Sequence, residues 1–121
     1  MRTIFLACPY SHADDRVTEQ RFEASNRVAA RIIESGAAVY SQVSMSHPIN
    51  IAFENTAKAD IGKRWGPVDG VFMDVLDELI VLDLPGWEAS SGIKREIEFF
   101  HSRGKKVSMW SDVESEFVPR V

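Results

Sequence analysis

The chain is predicted to be an α/β protein, a three-layer Rossmann-like or flavodoxin-like parallel sheet flanked by helices. Three observations lead there. Short β-rich runs alternate with longer helical stretches, which implies parallel strands joined by right-handed helical crossovers. The clearest runs, TIFLA at 3–7 and LIVLDL at 79–84, are almost wholly apolar, as strands buried on both faces must be. Glycine or proline punctuates most junctions. A length of 121 residues fits one domain spanning 1–121.

Taken in order, residues 3–7 form a buried first strand ending at Cys8-Pro9. A helix over 14–35 follows, with Asp14 and Asp15 favoured at its positive end and Gly36 as its stop. Its predicted apolar stripe runs through Phe22, Val28, Ala29, Ile32 and Ile33. Residues 37–43 read as a second strand. His47-Pro48 then reads as a break, and 49–59 as a weak helix within a segment that covers a site. Gly66-Pro67 starts the next helix, with Val68, Phe72, Val75 and Leu76 on one face. After the strand at 79–84, Pro85-Gly86 turns the chain into a helix over 91–103, ended by Gly104. Residues 107–110 read as a last central strand, and the tail as a weak acidic helix.

Composition narrows the function classes. With 45% hydrophobic and 26% charged residues the chain has the balance of a water-soluble protein. A net charge of −4 argues against a nucleic-acid partner. The longest stretch free of charged residues, 35–53, holds Gly, Pro, Asn, Gln and Ser, so no membrane span is expected. The apolar run at 4–8 is too short for a signal peptide, and the expected compartment is the cytoplasm. A single cysteine permits no internal disulfide, and no Cys/His cluster has zinc spacing, so no metal is expected. Neither a GxGxxG nor a GxxxxGK[ST] loop is present.

Ligands of parallel sheets bind beyond the carboxyl ends of the strands. Two segments leave those ends with reactive side chains, 8–15 and 83–96. On a wheel centred on Ile93, Ile97 and Phe100 fall within about 40°, and Glu96 lies about 60° away, at the border of the apolar stripe. Glu96 is thus either a shielded functional carboxylate or a complement to the helix dipole. A capping box is excluded, because Lys94 follows Ser91 by three residues and Ile93 follows Ser90 by three. Ser90, Ser91 and Gly92 are either ordinary helix-start residues or an anion cradle of hydroxyls and free N–H groups. Asp69, in the first turn of the helix expected to begin at Pro67, has the same two options as Glu96. Asp83 ends a buried strand, where it orients a loop or meets a ligand. Tyr10, Ser11 and His12 leave the first strand where a substrate would sit. Cys8 reads more simply as a packed residue than as a nucleophile, and His47 beside Pro48 more simply as a turn residue.

Three motifs, in this order and spacing, resemble the nucleoside 2-deoxyribosyltransferase-like superfamily, which includes nucleoside and nucleotide N-glycosidases. IFLACPYSH (4–12) resembles its first strand and substrate loop, with Cys8 where Gly is usual. DGVFMDVLD (69–77) resembles its pair of acids eight residues apart ahead of a strand. LDLPGWEASSGIKRE (82–96) resembles its signature of Ser or Asp, then Gly, then Glu four residues on. The resemblance implies Glu96 as a nucleophile attacking the anomeric carbon of a (deoxy)ribosyl group and forming a covalent glycosyl-enzyme intermediate. It further implies Asp69 as the acid that protonates the base or holds the sugar, and Tyr10 as a residue packed near the ligand. Transferases of the superfamily have Asp where this chain has Ser90, and the hydrolase branch has a serine that contacts a 5′-phosphate. Hydrolysis is therefore favoured over transfer. The hydrolases also carry an early-loop Ser and Arg, and the matching Pro9-Tyr10-Ser11 has no Arg, leaving Ser11 and His12 to stand in. No cofactor is implied. A homo-oligomer, dimeric or larger, is implied, with Trp110 and Phe117 either at its interface or packed internally. The alternative functions are a non-catalytic nucleotide-binding or sensing domain and a purely structural protein.

Overall fold

The computed structural model describes residues 1–120. Four parallel strands form one sheet: β1 (Thr3–Ala7), β2 (Ala38–Ser41), β3 (Glu78–Val81) and β4 (Lys106–Met109), in the order β2-β1-β3-β4. Five α-helices accompany them among the described residues: α1 (Asp15–Glu34), α2 (Gln42–Ala52), α3 (Ile61–Val75), α4 (Ser91–Ser102) and the short α5 (Trp110–Val113). This is the expected three-layer Rossmann-like or flavodoxin-like architecture. None of these helices is long and apolar enough to cross a membrane.

The two central strands divide the core by alternation of their side chains. Ile4 and Leu6 of β1, with Ile80 of β3, face Ala29 and Ile32 of α1 and the C-terminal pair Trp110 and Phe117. Phe5 and Ala7, with Leu79 and Val81, face Ile93 and Phe100 of α4 and the half-buried Phe72 and Met73 of α3. Trp110 and Phe117 pack on each other at 5.5 Å and are 8% and 1% exposed, so they serve the core of this chain.

The strand expected over 79–84 is observed as Glu78–Val81, and the expected elements differ from the observed ones at five further places. The buried face of α1 runs through Arg21, Ser25, Ala29 and Ile32, and Ile33 points outward at 58% exposure. Two polar residues occupy the inner face, so hydropathy alone placed the stripe too far round. The second strand stops at Ser41, and residues 42–52 form α2 straight through His47-Pro48. The N–H that Pro48 lacks would have bonded the Ser44 carbonyl. Burial of Val43 and Ser46 offsets that loss. Likewise α3 begins at Ile61, and Pro67 lies inside it. Here burial of Trp65, whose Nε1–H donates to Asn50 Oδ1 at 2.7 Å, carries the helix upstream. Val75, expected on the inner face of that helix, is 65% exposed. Finally β4 is an edge strand, paired with β3 through Glu78↔Lys106 to Val81↔Met109.

Because α2 starts where β2 ends, it lies at the carboxyl edge of the sheet, against β1, α1 and α3. Pro48 is solvent-exposed on this helix. Replacing Pro48→Ala restores a backbone donor and a good helix former. The variant is expected to melt a few degrees above the parent, by circular dichroism or calorimetry; an unchanged or lower midpoint would contradict a continuous α2.

Candidate active site

The chain leaves the two central strands side by side. Pairing of β1 with β3 aligns Ala7 with Val81, and the Leu82 amide donates to the Ala7 carbonyl at 2.7 Å. Residues 8–12 and 82–92 therefore emerge together. Between them and the α2 and α3 helices opens a cleft of about 1010 Å³, lined by polar and apolar groups alike.

A buried arginine holds this junction. Arg21 of α1 is 9% exposed, and its guanidinium donates to the carbonyls of Tyr10 (3.4 Å), Ser11 (3.1 Å) and Pro85 (3.1 Å). It thus ties the exit of β1 to the exit of β3. Gly86 completes the arrangement: its φ is 93°, and a Cβ there would stand 2.9 Å from Arg21 Nη2. A side chain there would be strained by that φ and would fit only if the Arg21 guanidinium shifted from its carbonyls. Arg21 also lines the cleft, so an arginine does reach the loop that lacks one in sequence.

Two carboxylates share the cleft. Asp69 is the ninth residue of α3, well past the first turn, so the helix dipole does not account for it. Its carboxylate accepts from Tyr40 Oη at 3.3 Å and, at the long limit, from Gln42 Nε2 at 3.5 Å. Tyr40 is itself fixed by stacking on Phe72, with ring centroids 4.0 Å apart. Burial lifts the Asp69 carboxyl to about 6, against the opposing pull of those two donors. Burial and the charge of Asp69 hold the Tyr40 hydroxyl above its ordinary value, so it stays a neutral donor.

Glu96 is the deeper of the two. Its Oε2 is sealed from solvent and has no hydrogen-bond partner among the described residues. Burial pushes this carboxyl up to about 8; Asp69 adds to the rise and Arg95 opposes it. The outcome is a pair that carries one proton across neutral pH. A buried acceptor without a donor is costly and rare in a structure.

The other expected residues divide. Cys8 lines the cleft, but its thiol has the carbonyls of Pro9 (3.3 Å) and Arg21 (3.7 Å) as acceptors for its one proton, and burial pushes it up to about 11. It is a packed thiol with little thiolate character. Tyr10 walls the cleft, and its hydroxyl lies 2.6 Å from His47 Nδ1. His47 Nε2 is 2.8 Å from Glu19 Oε2. Neutral His47 donates from Nε2 to that carboxylate, so Nδ1 accepts and Tyr10 Oη donates. His47 is thus an ordered link between α2 and α1. Ser11 and His12 line the mouth of the cleft and are exposed; His12 Nδ1 also accepts from the Asp14 amide at 2.9 Å. Ser90 is the N-cap of α4, its Oγ accepting from the Ile93 amide at 3.2 Å. Ser91 and Gly92 follow on the cleft wall.

Asp83 is not on that wall. Although burial opposes its ionisation, the Ser111 hydroxyl and amide outweigh it and hold the carboxyl below the usual range. Asp83 fastens the exit of β3 to the start of α5, which is the loop-orienting option of its two expected roles. Arg21, Gln42, Ser46 and Asn50 were missed. The signal for the last three was present as polar residues four apart, but the strand expected over 37–43 and the break expected at His47-Pro48 divided it.

Fold and cleft together define a parallel α/β domain with a two-carboxylate site at the carboxyl edge of its sheet. The chain belongs to the family described as Domain of unknown function (DUF1937), which matches residues 2–112. No curated protein matches the chain.

Two outcomes test the site's physical account. Arg21→Met keeps the bulk but leaves three carbonyls without their donor. It should lower unfolding stability by about 2–4 kcal/mol in urea titrations; a loss under 1 kcal/mol would mean the clamp is dispensable. For Glu96 the folded-state value lies above the unfolded one. The native state therefore binds more protons, and stability falls as pH rises from about 4.5 to about 8. Glu96→Gln removes that fall. It should match the parent near pH 4 and exceed it at pH 9 by on the order of a few kcal/mol. Parallel curves for the two proteins would contradict it.

Proposed function

We propose that this protein cleaves the N-glycosidic bond of a nucleoside or nucleoside 5′-monophosphate, with water favoured over a second base as the acceptor. The observation that carries this reading is the buried, unpartnered carboxylate oxygen of Glu96 in a cleft it shares with a second carboxyl of raised affinity for protons. Glycoside chemistry at an anomeric carbon uses such a pair; burial leaves the shared proton on Glu96 in the free protein, and the roles of Glu96 as nucleophile and Asp69 as acid come from the superfamily resemblance. Resemblance of residues 4–12, 69–77 and 82–96 to the nucleoside 2-deoxyribosyltransferase-like superfamily adds support.

In the first step a carboxylate oxygen of Glu96 bonds to C1′ while the C1′–N bond breaks. Its electron pair goes to the base, which takes a proton from Asp69. In the second step water attacks C1′ and gives its proton to the Asp69 carboxylate, releasing the sugar and the Glu96 carboxylate. Desolvation makes an ionised Glu96 a poorly stabilised anion and hence a strong nucleophile. The Ser90 position favours hydrolysis, since a transferase of the superfamily would carry an acid there.

A second reading is a non-catalytic nucleotide-binding domain. It is favoured by the proton that Glu96 holds near neutral pH, which blocks attack until it is lost. Release of free base from a panel of nucleosides and monophosphates, followed by chromatography, separates the two. The enzyme reading expects base release that falls at least about 10³-fold in Glu96→Ala and about 10²–10⁴-fold in Asp69→Asn. Its kcat/KM should be bell-shaped, with limbs near 6 and 8, because attack needs one proton on the pair. Ligand-induced thermal stabilisation with no release from any substrate would select the binding domain instead.

A further inference from the structure

Four residues of α2 line the cleft, the apolar Ile51 and the uncharged polar Gln42, Ser46 and Asn50. Gln42, Ser46 and Asn50 are four residues apart, so each is turned about 40° from the last. Gln42 is turned toward Asp69, and Ser46 is almost fully buried. Asn50 is different, because another side chain dictates which way its amide faces. Trp65 Nε1–H donates to Asn50 Oδ1 at 2.7 Å. An indole nitrogen is a donor and never an acceptor, so the amide oxygen must face it and the NH2 group must face away. Trp65 cannot easily move: it is 7% exposed, and Phe53 meets it edge-on at 6.5 Å. Asn50 Nδ2 makes no side-chain hydrogen bond among the described residues, and the residue lines the cleft. A donor turned away from the indole thus stands in the cleft that Glu96 also lines.

We propose that Asn50, oriented by Trp65, reads the leaving base by donating from Nδ2 to a carbonyl oxygen of the heterocycle, so that the site selects oxo-substituted over amino-substituted bases. This rests on the N-glycosidic reading above, which puts a base in the cleft. An exocyclic amino group at the same place would set two donors against each other. The amide could not flip to accept, because that would face its NH2 to the indole N–H. Discrimination of about 10- to 100-fold follows, the size expected when a donor is left without its acceptor.

The experiment compares matched pairs, inosine with adenosine and uridine with cytidine, together with the 2′-deoxy forms. It measures kcat/KM for base release and, by calorimetry, the affinity of the free bases hypoxanthine and adenine. The parent should favour the oxo member about 10- to 100-fold. Asn50→Asp keeps an oxygen for the indole but turns an acceptor to the cleft, and should move the preference toward the amino member. Trp65→Phe frees the amide to rotate and should bring the ratio near one; it also serves where Asn50→Asp unfolds, as judged by its melting curve. A parent that cleaves both members equally, or variants that keep the parent's ratio, would overturn the proposal while leaving the enzyme reading intact. Base affinities that follow the expected ratio without any cleavage would sustain the role of Asn50 and overturn the catalysis. Absence of both cleavage and base binding would overturn the two together.

Discussion

β1 and β3 lie side by side at the centre of the sheet, buried on both faces, and the rest of the site depends on that pairing. Once Ala7 is aligned with Val81, the loops beyond them must leave from the same place. Loops carry unsatisfied backbone groups, and at a covered sheet edge water cannot satisfy them all. The Arg21 guanidinium does so from below, joining three carbonyls on two loops. Among the described residues this buried cation bonds only to neutral carbonyls and has no ion-pair partner, an unusual choice for stability alone.

The same burial that shapes the cleft sets its chemistry. Asp69 is held as a hydrogen-bond acceptor by Tyr40, whose ring is clamped on Phe72, while the buried Oε2 of Glu96 has no donor among the described residues. Two acids of the same type thereby come to differ in proton affinity by environment alone. Such an arrangement lowers native stability wherever Glu96 must ionise, a cost characteristic of sites kept for a reaction or a ligand.

Much of this was legible in the residues. Strands whose side chains are apolar on both faces announce themselves, and so does a helix with clean caps: β1, β3 and α4 are found close to where periodicity puts them. The segment 42–67 was not legible, for a physical reason. Proline normally marks a boundary, and both Pro48 and Pro67 sit inside helices held by contacts distant in sequence, among them the Trp65–Asn50 bond. The polar residues on the inner face of α1 misled in the same way, because Arg21 is buried only by virtue of carbonyls ten, eleven and sixty-four residues away.

By itself, the sequence determined the parallel α/β class, the two strand exits and the border position of Glu96, since these follow from local periodicity and the turn residues that bound it. Tertiary structure alone decided that Asp69 and Glu96 share one cleft and that Asp83 turns away to Ser111. It decided too that α2 supplies a wall with an amide of set orientation. Those outcomes depend on which desolvated groups find partners across the fold, and no window of neighbouring residues carries that information.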